Sequence, residues 1–283
     1  MWWPFRSRSA RPTVAAPAPE PLALDVAIVS DVGHVRPQNE DRGRCVRPGD
    51  AATLARRGVL VLVADGMGGH EAGDVASTTA ADVVAETYYT ADGTPREALG
   101  RAFVLANARI HAAAASPDKR GMGTTCTALA VRGREAFWAH VGDSRLYRRR
   151  DGRIEKLTTD HSVVEEMLAD GLITAEEARH HDARNVITRA LGIRPETDPA
   201  LDGPLAVRVG DVFVLMSDGL YDLVADDEIG LALGRPSVHA AATALVETAK
   251  ARGGYDNVTV AVVRVTPEAP ARPARPTAEA AAP

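Results

Sequence analysis

The chain has 283 residues, of which 45% are hydrophobic and 25% charged, the profile of a globular protein long enough to bury a core without covalent staples. Lys plus Arg number 33 against 38 Asp plus Glu, a net charge of −5, which argues against nucleic-acid binding by bulk charge. Two cysteines, Cys45 and Cys126, are too few for a disulfide framework or a cysteine-built zinc site, and read as reduced thiols.

In chain order, residues 1–21 and 267–283 are rich in Ala, Pro and Arg and poor in large apolar side chains, so both read as disordered tails. The N-terminus carries Trp2 and Trp3 but no apolar stretch of signal-peptide type. No segment reaches the ~18 consecutive apolar residues of a membrane span. The folded unit is expected at 22–266.

Within it, 24–30, 58–64, 211–216 and 258–265 read as strands. Residues 126–132 and 134–141 flank Gly133, and 144–149 and 153–157 flank Asp151-Gly152; both read as hairpins. Residues 204–209 are expected to pair with 211–216 through Gly210. Helices are expected over 74–89 (Val75, Thr79, Val83 and Tyr88 inward), around Leu99, Phe103, Ala106 and Ile110, and over 237–251. Shorter helices between 160 and 192 carry capping-box spacings at Ser162/Glu165 and Thr174/Glu177. Hairpins with segregated helices give an α+β fold class.

One device repeats: an apolar strand running into an aspartate. Residues 59–64 lead to Asp65-Gly66, 136–141 to Gly142-Asp143 and 212–217 to Asp218-Gly219, while Asp256-Asn257 precedes 258–265. Glu40-Asp41 adds two carboxylates after the first strand. Any one Asp-Gly is most simply a turn. Several gathered at one edge would repel, and a hard divalent cation, Mg²⁺ or Mn²⁺, relieves that repulsion. The loop DGMGGHEAG (65–73) lacks Lys-Ser/Thr and is not a P-loop, and His70-Glu71 lacks the second histidine of a zincin.

Together, SDVGHVRPQNEDR (30–42), VADGMGGHEAGDVAS (63–77), GMGTTCTALAV (121–131), HVGDSRLYRRRDG (140–152), LTTDHS (157–162), NVITRALG (185–192), MSDGL (216–220) and YDNVTVAVV (255–263) resemble the metal-dependent protein phosphatases of type 2C in their compact bacterial form. The resemblance covers about 25–265. It implies a four-layer α-β-β-α sandwich of two antiparallel sheets with flanking helices. It also implies two Mn²⁺ or Mg²⁺ ions, with a third in bacterial members. The implied activity is hydrolysis of phosphoserine and phosphothreonine by direct in-line attack of a hydroxide shared between two ions about 3.5–4 Å apart, without a phosphoenzyme.

Carried over by position, the resemblance implies that Asp65 bridges the ions, Gly66 offers its carbonyl, and Asp218 and Asp256 complete one shell. Glu40 and Asp41 serve the other ion directly or through water. Asp143 matches the carboxylate of the third site, with a plain turn role nearly as good a reading. Arg36 matches the phosphate-binding arginine, and Asn257 and Thr124 support the ligands. Met67 stands where animal relatives have a general-acid histidine. The acid is therefore unassigned, with a bound water or His70 as alternatives. His161 reads as a loop-ordering residue, His180 and His181 as solvent-facing, and Arg148 to Arg150 as a solvated basic face. Residues 163–198 match the flap.

The implied partners are phosphorylated proteins, among them a Ser/Thr kinase. The protein is expected to be a cytoplasmic monomer without nucleic-acid partners. Two other readings stand beside this one: a phosphatase-like binding module without turnover, and a regulatory phosphatase of a sigma-factor pathway.

Overall fold

The structure, a computed structural model, describes residues 22–68 and 72–268. Of the expected tails 1–21 and 267–283, residues 1–21 and 269–283 lie outside the described residues, as does His70, whereas Pro267 ends the last strand. In chain order the elements are β1 (Leu22–Asp31), β2 (Asp41–Val46), α1 (Ala51–Arg57), β3 (Val59–Met67), α2 (Ala72–Thr90), α3 (Pro95–Ala113), β4 (Gly123–Thr124), β5 (Cys126–Arg132), β6 (Glu135–Val141), β7 (Arg145–Arg150) and β8 (Arg153–Lys156). They continue as α4 (Val163–Ala169), α5 (Ala175–His180), β9 (Ala200–Ala206), β10 (Val212–Met216), α6 (Asp218–Tyr221), α7 (Asp226–Ala232), α8 (Val238–Ala251) and β11 (Val258–Pro267).

One antiparallel sheet has the order β1-β11-β10-β7-β8, and the other β2-β3-β5-β6-β9 with β4 paired to β3. The continuously apolar strands follow from this stacking, because side chains alternate faces along a strand and both faces are covered. In β3, Val59, Val61 and Val63 fill the layer between the sheets, whereas Leu60, Leu62 and Ala64 meet α2 and α3. In β11, Ala261, Val263 and Val265 face the other sheet, whereas Val258, Val260 and Val262 meet α8. The result is the four-layer α-β-β-α sandwich.

The hairpin β5–β6 turns at Gly133, and β7–β8 turns at Asp151 and Gly152, both with positive φ. The expected pairing of 204–209 with 211–216 does not form. β9 lies on β6 in the other sheet, with Ala206 opposite Glu135, and Val207 N–H continues that pairing to the Arg134 carbonyl at 2.8 Å. Asp211 explains the change of sheet. Its carboxylate accepts Arg208 N–H at 2.8 Å and the Arg150 guanidinium at 2.6 Å, which closes a turn that carries the chain across to β10.

Leu99, Phe103, Ala106 and Ile110 on α3 are all fully buried, as their spacing predicts. On α2 the buried face is displaced by one residue. Tyr88 is buried, but Ala76, Ala80 and Val84 form the stripe, and Val75, Thr79 and Val83 are half-buried. Small side chains let this helix approach β3 and α3 closely, so the bulkiest residues do not mark its core face. α8 is capped by the Ser237 hydroxyl and stops at Gly253-Gly254, both at positive φ. Thr174 and Glu177 form a reciprocal capping box on α5, whereas Ser162 caps α4 from one side only. Cys45 and Cys126 are free thiols. Among the described residues no helix is long and apolar enough to cross a membrane.

Truncating Phe103, which sits between α3 and its sheet, should cost about 3–5 kcal/mol. Urea unfolding of Phe103→Ala with an unchanged m-value checks this.

Candidate metal centre

The strand registers bring the acidic turns together. β10 and β11 are antiparallel with Met216 opposite Val260, so Asp218 after one and Asp256 before the other lie at the same edge. β7 begins there too, since Arg145 pairs with Met216. In the other sheet Asp41 and Asp65 are direct register partners across β2 and β3. Val63 opposite Thr127 and Cys126 opposite Val141 place the end of β6 at the same edge. Asp143 sits in the segment that passes from β6 to β7, between the two sheets. Residues 65, 143, 218 and 256, far apart in sequence, are thereby gathered.

Their electrostatics record the crowding. Burial first, and then the charges of Asp41, Asp218, Asp143 and Asp256, push the Asp65 carboxyl well above the usual range. Burial and then Asp143 and Asp256 do the same to Asp218. Burial lifts Asp41 to about 6 against hydrogen bonds from Ser217 and Thr259, and lifts Asp143 to about 6 with help from Asp160. Asp41 Oδ2 accepts the Ser217 hydroxyl at 2.7 Å, but Asp41 Oδ1 and Asp218 Oδ1 are buried without a hydrogen-bond partner. Buried carboxylate oxygens without donors, beside other carboxylates, are the surroundings a hard cation satisfies. Among the described residues no three Asp, Glu, His or Cys side chains close on one point as a finished cage. Carboxylates that repel each other have no cause to do so until a cation lies between them.

The backbone around them admits no extra atoms. A Cβ on Gly66 would lie 2.1 Å from the Gly73 carbonyl oxygen and 2.7 Å from that of Glu40. A Cβ on Gly73 would lie 2.6 Å from Glu40 Oε1, and one on Gly219 would lie 2.1 Å from the Asn257 carbonyl oxygen. The glycine-rich loop thus lets α2 press its first turn against β3 and Glu40.

The supporting residues are placed as follows. Asn257 Oδ1 accepts Glu40 N–H at 2.8 Å, and its amide donates to the carbonyls of Val32 and Gln38 at 2.9 and 3.0 Å, tying the Glu40 loop to the start of β11. The Thr124 hydroxyl donates to the Asp65 carbonyl at 2.8 Å. Arg36 reaches the site and pairs with Asp256 at 2.6 Å; its side chain is half exposed. That pairing, with Asp218 and Asp65 nearby, raises the guanidinium pKa. His161 bonds the Gly142 backbone.

Two expectations about basic residues need correction. Arg148 to Arg150 are not a solvated face: Arg148 pairs with Glu155, and Arg150 with the buried Asp211. His180 is exposed, but His181 is half-buried, and its Nδ1 accepts Ala183 N–H at 3.1 Å.

Sequence reading missed several groups. Ser217 holds Asp41 and also accepts Thr259 N–H at 3.0 Å. The Thr125 hydroxyl accepts Asp65 N–H at 3.0 Å. Arg145 packs 3.5 Å from the Tyr221 ring centroid and pairs with Asp160 at 2.7 Å, beside Asp143 and Asp218 in one cleft. Ser217, Thr125, Arg145 and Asp160 all lie inside the quoted motifs, within two residues of Asp218, Thr124, Asp143 and His161 respectively, and that nearness is their signal in the sequence.

The sequence model described as Protein phosphatase 2C matches residues 47–253. A putative protein phosphatase 2C-type of Streptococcus pyogenes is 37% identical over 246 residues, covering 85% of this chain and 97% of that one. The serine/threonine protein phosphatase PstP of Mycobacterium tuberculosis is 40% identical over 249 residues, 86% of this chain and 45% of that one. A solved catalytic domain of PstP, in complex with two manganese ions, superposes with a TM-score of 0.75 at 39% identity, covering 87% of this chain and 99% of that one.

The raised carboxyl pKa values fix a sign for the metal-free protein. A group whose pKa is higher in the folded state stabilises the fold at low pH and loses that contribution as pH rises through its folded value. For Asp41 and Asp143 the window runs from about 4 to about 6. In chelator, wild-type stability should therefore fall over that window relative to Asp41→Asn. At neutral pH, Mn²⁺ should raise the Tm of the wild type more than that of the variant. Differential scanning fluorimetry across pH reads both effects.

Proposed function

The chain belongs to the protein phosphatase 2C family, and on that premise we propose that it is a metal-dependent protein serine/threonine phosphatase. The observation that carries this reading is the convergence of Asp65, Asp218 and Asp256 at one edge of the sandwich, with an oxygen of Asp41 and one of Asp218 buried without donors. The donor set of carboxylates and a backbone carbonyl suits Mn²⁺ or Mg²⁺. Asp65, the Gly66 carbonyl, Asp218 and Asp256 would hold one ion, Glu40 and Asp41 would serve the other directly or through water, and Asp143 a further one. When bound, a pair of such ions lowers the pKa of water and neutralises phosphoryl charge.

The chain's own residues supply the rest. Arg36, exposed on one side of its ion pair, is placed to orient phosphate oxygens through its planar fork. Ser217 and Thr125 hold Asp41 and the Asp65 backbone from behind, so the carboxylates present a fixed face to the cleft. Met67 cannot deliver a proton, so the leaving serine or threonine oxygen takes its proton from another source.

Residues 22–266 are the proposed catalytic unit. The segment 163–198, which carries α4 and α5 along the cleft, is the proposed flap for substrate selection. The substrates are proposed to be phosphoproteins, including a Ser/Thr kinase whose action this enzyme reverses, in the cytoplasm and as a monomer.

Asp218→Asn should lower hydrolysis of an aryl phosphate by at least about a thousandfold, and chelator should silence the wild type until Mn²⁺ is restored. Near-normal turnover of the purified variant, or activity in excess chelator, would remove the metal reading. Arg36→Ala should raise KM for a phosphothreonine peptide more than it lowers kcat; steady-state kinetics with an unchanged KM would take Arg36 out of phosphate binding.

A further inference from the structure

The turn Gly142–Asp143–Ser144 is clamped on both sides of its carboxylate. On one side, His161 N–H donates to the Gly142 carbonyl at 2.7 Å, and Gly142 N–H donates to His161 Nδ1 at 3.1 Å. On the other, the Thr127 hydroxyl donates to the Ser144 carbonyl at 2.9 Å, and the Ser144 hydroxyl lies 2.7 Å from that of Thr125.

These contacts fix the tautomer of His161. Gly142 N–H can only donate, so His161 Nδ1 is the bare nitrogen and the proton is on Nε2. The Thr127 hydroxyl also lies 2.8 Å from His140 Nδ1, which links the second ring to the same turn. The two rings stack with centroids 4.9 Å apart. Burial, the leading cause in each case, lowers His140 to about 3 and His161 to about 4, which keeps both rings uncharged near neutral pH.

His161 also belongs to the neck of the segment that carries α4 and α5. Its carbonyl accepts Thr188 N–H at 2.8 Å, Ser162 bridges Ile187, and Val163 N–H donates to the Val186 carbonyl at 2.9 Å. One residue thus bonds both the Asp143 turn and the two-stranded base of the proposed flap.

We propose that His161 is a positioning residue, whose Nδ1 acceptor latches the Asp143 turn to the neck of the 163–198 segment so that the flap and this carboxylate are set together. The consequence for catalysis rests on the reading of Asp143 as a metal carboxylate; the latch itself does not.

Long-range ¹H–¹⁵N NMR of the full-length chain without metal should show His161 protonated at Nε2. The opposite tautomer at His161 overturns the latch. For activity, His161→Leu removes the acceptor, and His161→Asn returns one through its side-chain oxygen. The Leu variant should lose about tenfold in kcat on a phosphopeptide, with KM within about twofold, and need more Mn²⁺ for half-maximal rate. The Asn variant should recover to within about threefold of wild type. Wild-type kcat in the Leu variant, or an Asn variant as poor as Leu when both are folded, overturns the proposal. An Asp143→Ala protein with an unchanged Mn²⁺ curve defeats the Asp143 reading, and the His161 tautomer then decides the latch alone.

Discussion

Mutual repulsion among carboxylates at one edge of a β-sandwich is the constraint on which this structure turns. Asp65 and Asp218 are held half-buried among other carboxylates: beyond burial, Asp41 and Asp218 push the Asp65 carboxyl upward, and Asp143 and Asp256 push that of Asp218. Such an arrangement is unfavourable for the bare chain and favourable only with a compensating cation. The sandwich bears the cost because its three apolar layers, one between the sheets and one under each helical face, do not depend on the acidic edge.

The surrounding backbone keeps these charges in place. Ser217, Thr125 and Asn257 bond the backbone or the outer oxygens of the acidic residues and leave the inner oxygens bare. Gly66, Gly73 and Gly219 are tight because neighbouring carbonyls or carboxylates lie where a Cβ would sit. Their lack of a side chain reflects crowding rather than turn geometry, since none of the three has positive φ. Precision at the site thus comes from close backbone contact, with the acidic side chains left free to answer to a cation.

Beyond the metal edge, the cleft is bounded by the segment with α4 and α5, neither of which has a buried residue. The part that carries these helices is attached through short backbone bonds near His161 and Thr188, whereas the later part of the segment is anchored in the core by the buried Leu191, which pairs with Thr124. An element with little buried surface opens more readily than the sheets it leans on. A substrate-selecting role fits such an element, and a bonded neck gives its placement a route to the acidic turn.

Much of this was legible along the chain. The apolar runs announced strands, the Asp151-Gly152 turn announced its hairpin, and the ordered motifs announced the family, with its layered sandwich and cation chemistry. The failures share a cause. The α2 stripe was read from its bulkiest residues, while the helix packs through Ala76 and Ala80, where closeness of approach decides. The 204–209 strand was paired with its neighbour in sequence, while Asp211 and Arg150, 61 residues apart, turn the chain to the other sheet. Local pattern therefore determined which segments are strands and helices and which residues carry charge. Only the tertiary structure decided which strand neighbours which, which carboxylate oxygens lack a donor, and which ring nitrogen of His161 faces the acidic turn, because those depend on distances between residues that sequence order does not encode.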